Sequence, residues 1–176
     1  MQTRLLTILG TAAVALAAAT VAFGGTITPT ATVTGASGIS MNLPSNPSMS
    51  TTLDGTDQVA SWSGLLGIVD ARGSGAGWNL TVAATTFSDG SGHTLTPGTL
   101  IGISSACRAG NACTAATNSV TYPITLGGTA AKFFNSAANT GLGKVDVTPT
   151  VDVAIPGNAY AGSYTSTVTL AAVSGP

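Results

Sequence analysis

In the stretch KVDVTPTVDVAIPG, residues 144–157, apolar and polar side chains alternate with a period of two. One face carries the apolar residues Val145, Val147, Pro149, Val151, Val153 and Ile155, and the other carries Asp146, Thr148, Thr150 and Asp152. Since successive side chains of a β-strand point to opposite faces, this pattern predicts a long, half-buried strand. Pro149 cannot donate a hydrogen bond to a neighbouring strand, so we expect an edge position or a β-bulge near the strand's middle.

Other segments follow the same period. After the turn residues of PGNAYAG, the segment SYTSTVTLAAV (163–173) places Tyr164, Val168 and Leu170 on its inner face, and we expect it to form a hairpin or an adjacent pair with residues 144–155. Three earlier segments are also strand candidates, namely TITPTATV (26–33), GLLGIVDA (64–71) and SVTYPITLG (119–127).

Composition and turn spacing together indicate the fold class. Threonine and β-branched residues are abundant, and clusters of Gly or Pro recur at roughly the eight-to-twelve-residue spacing of sandwich turns. The sequence therefore predicts an all-β, antiparallel β-sandwich. Only TAAKFFNSAAN, residues 129–139, is predicted to form a short helical turn.

The N-terminus has the features of a secretory signal. Arg4 precedes an uncharged apolar run over residues 5–23, and small residues crowd the end of that run. We predict a signal peptide over residues 1–24 and a single domain over residues 25–176. The alternative is a retained membrane anchor, since the run approaches the roughly 20 residues that span a bilayer. The predicted cleavage points follow Ala19, Ala22 and Gly24.

The charge of the chain is low and nearly balanced. Charged residues make up 6% of the sequence, and without Arg4 four basic residues face six aspartates, a net charge of −2. Nucleic acids and acidic membranes are bound by clustered Lys and Arg, which this sequence lacks. We therefore expect neither nucleic acid nor, once the signal is removed, a membrane as a partner.

The two cysteines, Cys107 and Cys113, lie close together in CRAGNAC. In an exported chain such thiols tend to oxidise, so we predict one local disulfide. A zinc site would need further Cys or His ligands, and His93 is the only histidine. We expect no metal and no other cofactor.

No motif of the sequence predicts catalysis. RGSGAG (72–77) resembles a phosphate-binding loop, but a strand follows it instead of a helix, so we interpret it as a hairpin turn. Asp70 and Arg72 flank this turn and are expected to form an ion pair. Asp-Gly turns explain the acidic residues near Asp54 and Asp89 better than a calcium loop does. His93 has no nucleophile motif beside it, so we predict that the protein is not an enzyme.

Two tryptophans are candidates for binding. In GWNLTVAATTF, residues 77–87, Trp78 shares a face with Leu80 and Val82, which favours a core position over a sugar-stacking platform. Trp62 lies between serines in ASWSG and is the better candidate for exposure. Packing at a strand end is the alternative for Trp62.

Three stretches taken together resemble a bacterial WxL-domain surface protein, and the resemblance extends from about Gln58 to Pro176. These stretches are GIVDARGSGAGWNLTVAATTF (67–87), AAKFFNSAANTGLG (130–143) and VDVAIPGNAYAGSYTSTVTLAAVSGP (151–176). The resemblance implies an extracellular β-sandwich that associates non-covalently with peptidoglycan, often in assemblies with other surface proteins. It also implies that Trp78-Asn79-Leu80 is the first of two namesake motifs.

The second namesake motif is degenerate in this chain, because Leu170-Ala171-Ala172 occupies its expected place. If both tryptophans contacted the wall polymer, the loss of one would weaken binding. If they are core residues, Leu170 is a tolerable apolar substitute, and the alternation of side chains favours this account. The candidate binding residues are therefore Trp62, Trp78, Asn79 and Leu80, with peptidoglycan or other surface proteins as partners.

A second resemblance implies a different class of function. YAGSYTSTVTL, residues 160–170, is similar to the last strand of spore-coat-U and fimbrial subunits, in which a neighbour's strand completes an unfinished sandwich. The Thr-rich residues 26–34 would then be a donor strand, and low charge would permit self-association. The alternative is that residues 26–34 form the first strand of the chain's own sandwich.

Overall fold

A computed structural model describes residues 28–176, so the predicted signal segment lies outside the described residues. Residues Val33–Pro176 form one compact unit. The described chain contains eleven strands and no helix. The strands are β1 (Ile39–Asn42), β2 (Gln58–Ser63), β3 (Leu66–Asp70), β4 (Trp78–Ala84), β5 (Phe87–Ser88), β6 (Thr94–Leu95), β7 (Thr99–Cys107), β8 (Ile124–Thr125), β9 (Ala131–Ser136), β10 (Gly143–Ile155) and β11 (Val168–Ser174).

The strands form two main sheets whose buried faces share one core. The larger, six-stranded sheet has the order β1-β3-β10-β7-β8, with β2 also paired to β10, and the smaller sheet has the order β11-β4-β9. Strands β5 and β6 form a separate hairpin, and all strand pairs are antiparallel. Leu66, Ile68 and Val147 of the larger sheet join Trp78, Leu80 and Phe134 of the smaller one in the main apolar cluster. The predicted antiparallel β-sandwich is confirmed.

Strand β10 is the centre of the larger sheet. Its side chains alternate between buried and half-buried positions along almost its whole length, as predicted. On one side it pairs with β7, and on the other it pairs first with β3, up to Val147, and then with β2, from Thr150. Pro149 lies between these two partners, next to a β-bulge at Thr150/Val151. The predicted bulge near the strand's middle is confirmed, and Pro149 also lies where β10 has no partner in either β3 or β2, so that a missing backbone donor is tolerated there.

Two predicted pairings are wrong. Strand β11 does not pair with β10 but with β4 in the other sheet, with Leu170 opposite Val82. Likewise RGSGAG, residues 72–77, is not a hairpin turn, because it joins β3 to β4, which lie in different sheets. A period of two specifies which face of a strand is buried but not which strand lies beside it, so both errors have the same cause. The predicted inner face of residues 163–173 is confirmed, since Tyr164, Val168 and Leu170 are half-buried.

The helical turn predicted over residues 129–139 is also wrong, because Ala131–Ser136 is strand β9. The register with β4 passes from Leu80↔Phe134 to Thr81↔Lys132, which leaves Phe133 as the extra residue of a β-bulge. Both Phe133 and Phe134 are therefore buried, although they are neighbours in a strand. This double burial breaks the alternation by which a strand is recognised in a sequence.

The remaining strand predictions have mixed outcomes. GLLGIVDA contains β3, whereas only Ile124–Thr125 of SVTYPITLG forms a strand. The strand predicted over residues 26–33 is wrong for its described part, since residues 28–38 are exposed and belong to no strand. Pro29 lacks a backbone donor, and an extended segment without a neighbouring strand is not stable by itself.

Candidate functional site

Trp78 begins strand β4, and its side chain is 0% exposed. The indole Nε1 donates a hydrogen bond to the carbonyl oxygen of Gly141 at 3.0 Å, and the ring centroid lies 5.5 Å from that of Phe134. Gly141 has a φ of 69°, and a Cβ atom there would lie 2.7 Å from the indole nitrogen. The site therefore accepts only glycine opposite the indole, and Trp78 is a core residue, as the alternation of side chains predicted.

The two neighbours of Trp78 in the predicted site point in opposite directions. Leu80 is completely buried. Asn79 is half-buried on the other face of β4, where its Nδ2 donates a hydrogen bond to the carbonyl oxygen of Gly175 at 2.8 Å. In β11, Ala172 lies opposite Leu80 and Leu170 lies opposite Val82. Trp78-Asn79-Leu80 and the predicted second motif, Leu170-Ala171-Ala172, thus lie in neighbouring strands of one sheet, and Leu80, Leu170 and Ala172 pack on the core.

Trp62 lies in strand β2 of the other sheet, opposite Val151, and is half-buried. Together with Val82 and Leu170 it borders an apolar cavity of about 30 Å³ between the sheets. A space of this size holds a water molecule or two but no sugar ring. The structure therefore brings Trp62 against the core, and the four predicted binding residues do not form one exposed surface.

Two ion pairs fix loops of the domain. Arg72 contacts Asp70 through Nε–Oδ1 at 2.8 Å and Nη2–Oδ2 at 2.9 Å, and its Nη2 also donates to the carbonyl oxygen of Gly77 at 2.7 Å. The hydrogen bonds from Arg72 lower the pKa of Asp70, whose side chain is completely buried. Arg108 pairs with Asp146 at 2.7 Å. The predicted Asp70–Arg72 pair is confirmed, but it is buried, not exposed.

The predicted disulfide between Cys107 and Cys113 is present, with its Cα atoms 5.6 Å apart. Cys107 ends strand β7, and Cys113 forms an isolated β-bridge with Gly143 at the start of β10. The disulfide therefore fastens the loop of residues 108–112 onto the end of the larger sheet.

An aromatic cluster that the sequence did not predict surrounds an open depression of about 220 Å³. The ring of Tyr160 is stacked on that of His93 at 3.8 Å, with 17° between their planes. His93 Nδ1 lies 2.5 Å from Asp89 Oδ2, and the Tyr164 hydroxyl donates to the carbonyl oxygen of Tyr160 at 2.9 Å. The hydrogen bond from His93 lowers the pKa of Asp89. The only signal in the sequence is the presence of aromatic residues in turn-rich segments.

A family model described as "WxL domain surface cell wall-binding" matches residues 17–172. The chain belongs to the WxL family. This WxL protein is therefore extracellular and associated with the cell surface and its wall. Neither a curated protein nor a solved structure matches the chain.

In this WxL domain, Trp78-Asn79-Leu80 has the Trp-x-Leu pattern, and its Trp78 and Leu80 lie in the core. Within residues 28–176, no cluster of three or more His, Cys, Asp or Glu side chains has the spacing of a metal site. The described part of the chain also contains no helix long and apolar enough to cross a membrane.

Proposed function

We propose that this WxL domain is a non-enzymatic module that holds the protein non-covalently on peptidoglycan. The observation that carries the proposal is the match to a cell-wall-binding family over residues 17–172. A polymer cannot reach Trp78 and Leu80, because their side chains are 0% exposed. Their contribution to binding is therefore indirect, through the stability of the sandwich. The contact with the wall is made by the outer surface of the domain.

The charges of the domain favour the neutral glycan of the wall over its anionic polymers. The described chain has four cationic side chains, and Arg72 and Arg108 are already paired with Asp70 and Asp146. Polymers of phosphate groups are bound by clusters of Lys and Arg, and each contact is sensitive to salt. Hydroxyl and amide groups, which dominate the outer faces of this domain, are suited to hydrogen-bonding uncharged sugars.

The proposal is tested by sedimentation of the exported protein with purified peptidoglycan from which the anionic polymers have been removed. We expect retention, and we expect it to persist at about 1 M NaCl, where the Debye length is only about 3 Å. Absence of retention at any salt concentration would overturn the proposal. Release of soluble fragments from the peptidoglycan during the incubation would show an enzyme instead.

We also propose self-assembly by strand addition as a second candidate function. The observation that favours it is that residues 28–38, a Thr-rich segment, are exposed and outside every strand. Strand β11 is at the same time an edge of the smaller sheet. An extended segment can add to such an edge through backbone hydrogen bonds. In this candidate function, residues 28–34 of one copy pair with β11 of another.

Light scattering of the exported protein over a range of concentrations tests the second candidate. We expect a ladder of oligomers that the substitution Val33→Pro abolishes, because proline removes a backbone donor from the added strand. Val33→Ala is the matched control and should leave the ladder intact. A wild-type protein that remains monomeric at every concentration would overturn this candidate.

A further inference from the structure

The depression beside Tyr160 lies between two loops at one end of the sandwich. One loop is the β5–β6 hairpin with its turn over residues 89–93, and the other is the connection from β10 to β11, residues 156–167. Its lining includes His93, Leu95, Asn158 and Tyr160. The volume of about 220 Å³ is below the roughly 300–1,000 Å³ of sites for drug-sized ligands, so the depression accommodates one small ring.

Tyr160 gives this depression an aromatic surface that faces solvent. Its side chain belongs to a residue that is 64% exposed, and it is the one exposed aromatic residue of the described chain. The imidazole of His93 is stacked on one face of the phenol ring, and the 64% exposure of the residue leaves much of its remaining surface in contact with solvent. An exposed aromatic ring of this kind offers the apolar surface on which a sugar ring can stack.

The aromatic pair is held in place before any ligand arrives. Asp89 Oδ1 accepts hydrogen bonds from the backbone nitrogens of Ser91 at 2.7 Å and His93 at 3.1 Å, while Oδ2 holds the imidazole. The two loops are joined by a pair of backbone hydrogen bonds between Ser88 and Thr165, each 2.9 Å long. Because these contacts already fix the loops, binding costs little conformational entropy.

The polar groups around the ring are neutral. Asn158 contributes a carboxamide and Thr94 a hydroxyl, and Nδ1 of His93 is engaged by Asp89. Neither Lys nor Arg nor an acidic residue is among the lining residues. A phosphate or carboxylate ligand would find no Lys or Arg among the lining residues to compensate its charge.

From this geometry we propose that the depression is a glycan subsite, in which an uncharged sugar ring stacks on Tyr160 and hydrogen-bonds to Asn158. The inference rests on the proposed function and gives it a location. It assigns wall contact to the loops at this end of the sandwich and leaves the namesake motif in the core. Tyr160 supplies the stacking surface, and His93 and Asp89 position it.

The first test compares variants for retention on purified peptidoglycan. Tyr160→Ala is expected to weaken retention by about tenfold, as expected for a central aromatic contact, and Asn158→Ala is expected to weaken it to a smaller extent. Tyr160→Phe keeps the ring and should remain close to the wild type. Val173→Ala removes an exposed apolar side chain at the other end of β11 and serves as the matched control. Thermal unfolding of every variant checks that the fold is unchanged.

A second test is independent of the wall. The exported protein is titrated with triacetylchitotriose, a neutral soluble sugar, and amide chemical shifts are followed. We expect shifts at His93, Asn158 and Tyr160, and none on addition of inorganic phosphate. If the wild type is retained on peptidoglycan but Tyr160→Ala is retained equally, the subsite is wrong and the proposed function stands. If the wild type is not retained, the proposed function fails, and the subsite is then supported by shifts at these residues or overturned by their absence.

Discussion

The side chain of Trp78 is completely buried, and its polar atom is satisfied by the carbonyl of Gly141. Leu80 is equally buried two residues further along β4, while the side chain of Asn79 donates a hydrogen bond to the carbonyl oxygen of Gly175, the residue that follows β11. A wall polymer could touch the indole only if the sandwich opened. The Trp78-Asn79-Leu80 motif is thus expected to influence wall binding through stability, and Leu170, which we predict to occupy the place of a second tryptophan, packs on the same core.

Replacing Trp78 tests this account directly. Trp78→Ala should lower the free energy of unfolding by about 3–5 kcal/mol, because it leaves a large cavity between the sheets. The corresponding fall in Tm is about 6–20 °C for a domain of this length. Differential scanning calorimetry measures the fall, and peptidoglycan retention measured well below the lowered Tm should remain close to that of the wild type.

Trp78→Phe is the matched variant. It keeps most of the apolar volume but removes the donor to Gly141, so the carbonyl is left unpaired at a cost of about 1–3 kcal/mol. We expect a Tm between those of the wild type and Trp78→Ala. An unchanged Tm combined with lost retention in either variant would show that the indole contacts the polymer.

The crossover from β3 to β4 is fixed by the side chain of Arg72, which links the buried carboxylate of Asp70, the carbonyl of Gly77 and the hydroxyl of Ser174. These contacts join the end of β3 to the loop and to strand β11 of the other sheet. Because the loop must turn from one sheet to the other, the ion pair determines where β4 begins. The position of Trp78, the first residue of β4, therefore depends on this pair.

Acid should weaken this crossover. Hydrogen bonds from Arg72 hold the folded-state pKa of Asp70 below the roughly 3.9 of an unfolded aspartate. The contribution of the ionised Asp70 to the free energy of unfolding is therefore complete above the unfolded-state pKa, and it is lost as the pH falls through the folded-state pKa. Asp70→Asn should cost about 3 kcal/mol near pH 7, as breaking a buried pair does. Urea unfolding between about pH 7 and pH 2 measures both effects.

The pH profile of Asp70→Asn is the informative control. Its stability should depend less on acid pH than that of the wild type. The remaining dependence is assigned to Asp54 and Asp89. Hydrogen bonds from Thr56 lower the pKa of Asp54 to about 2, and the hydrogen bond from His93 lowers the pKa of Asp89. A variant as sensitive to acid as the wild type would contradict the role given to Asp70.

The disulfide at the end of β7 is a local fastening and should be dispensable for the fold. Closing a loop between residues six positions apart stabilises by about 2 kcal/mol in the chain-entropy account. The double variant Cys107→Ser/Cys113→Ser should therefore unfold at a Tm about 4–8 °C lower, with an unchanged far-ultraviolet spectrum. Loss of the β-sheet spectrum would show that the bond defines the fold.

The sequence predicted the faces of the strands much better than their partners. Alternation placed Val147 and Trp78 inside correctly because burial depends on the strand's own side chains. The choice of β4 as the neighbour of β11 depends on contacts between distant segments, which no local pattern records. Phe133 was misread because a bulge turned it inward beside Phe134. The pairing of His93 with Tyr160 was invisible for the same reason as the strand partners, since two separate loops bring them together.

At the scale of the molecule, charged side chains are few, and half of the cationic side chains of the described residues form ion pairs within the domain. Arg72 and Arg108 are held by aspartates, so Lys132 and Lys144 are the two cations not engaged in the ion pairs of the described chain. These lysines lie in different sheets, on β9 and β10, and form no cluster. A surface of this kind cannot attract a polyanion by concentrating positive charge. The proposed function therefore assigns affinity for the wall to neutral contacts.

The double variant Lys132→Gln/Lys144→Gln tests that conclusion. It removes both exposed cations while keeping side chains of similar length and polarity, so we expect retention on peptidoglycan to stay within about twofold of the wild type. Binding to walls that still carry their anionic polymers should be equally unchanged. Tyr160→Ala, measured in the same sedimentation assay, supplies the comparison, because its loss of retention requires no change in charge. If the lysine variant loses retention and Tyr160→Ala does not, the wall is held by electrostatic attraction to a polyanion.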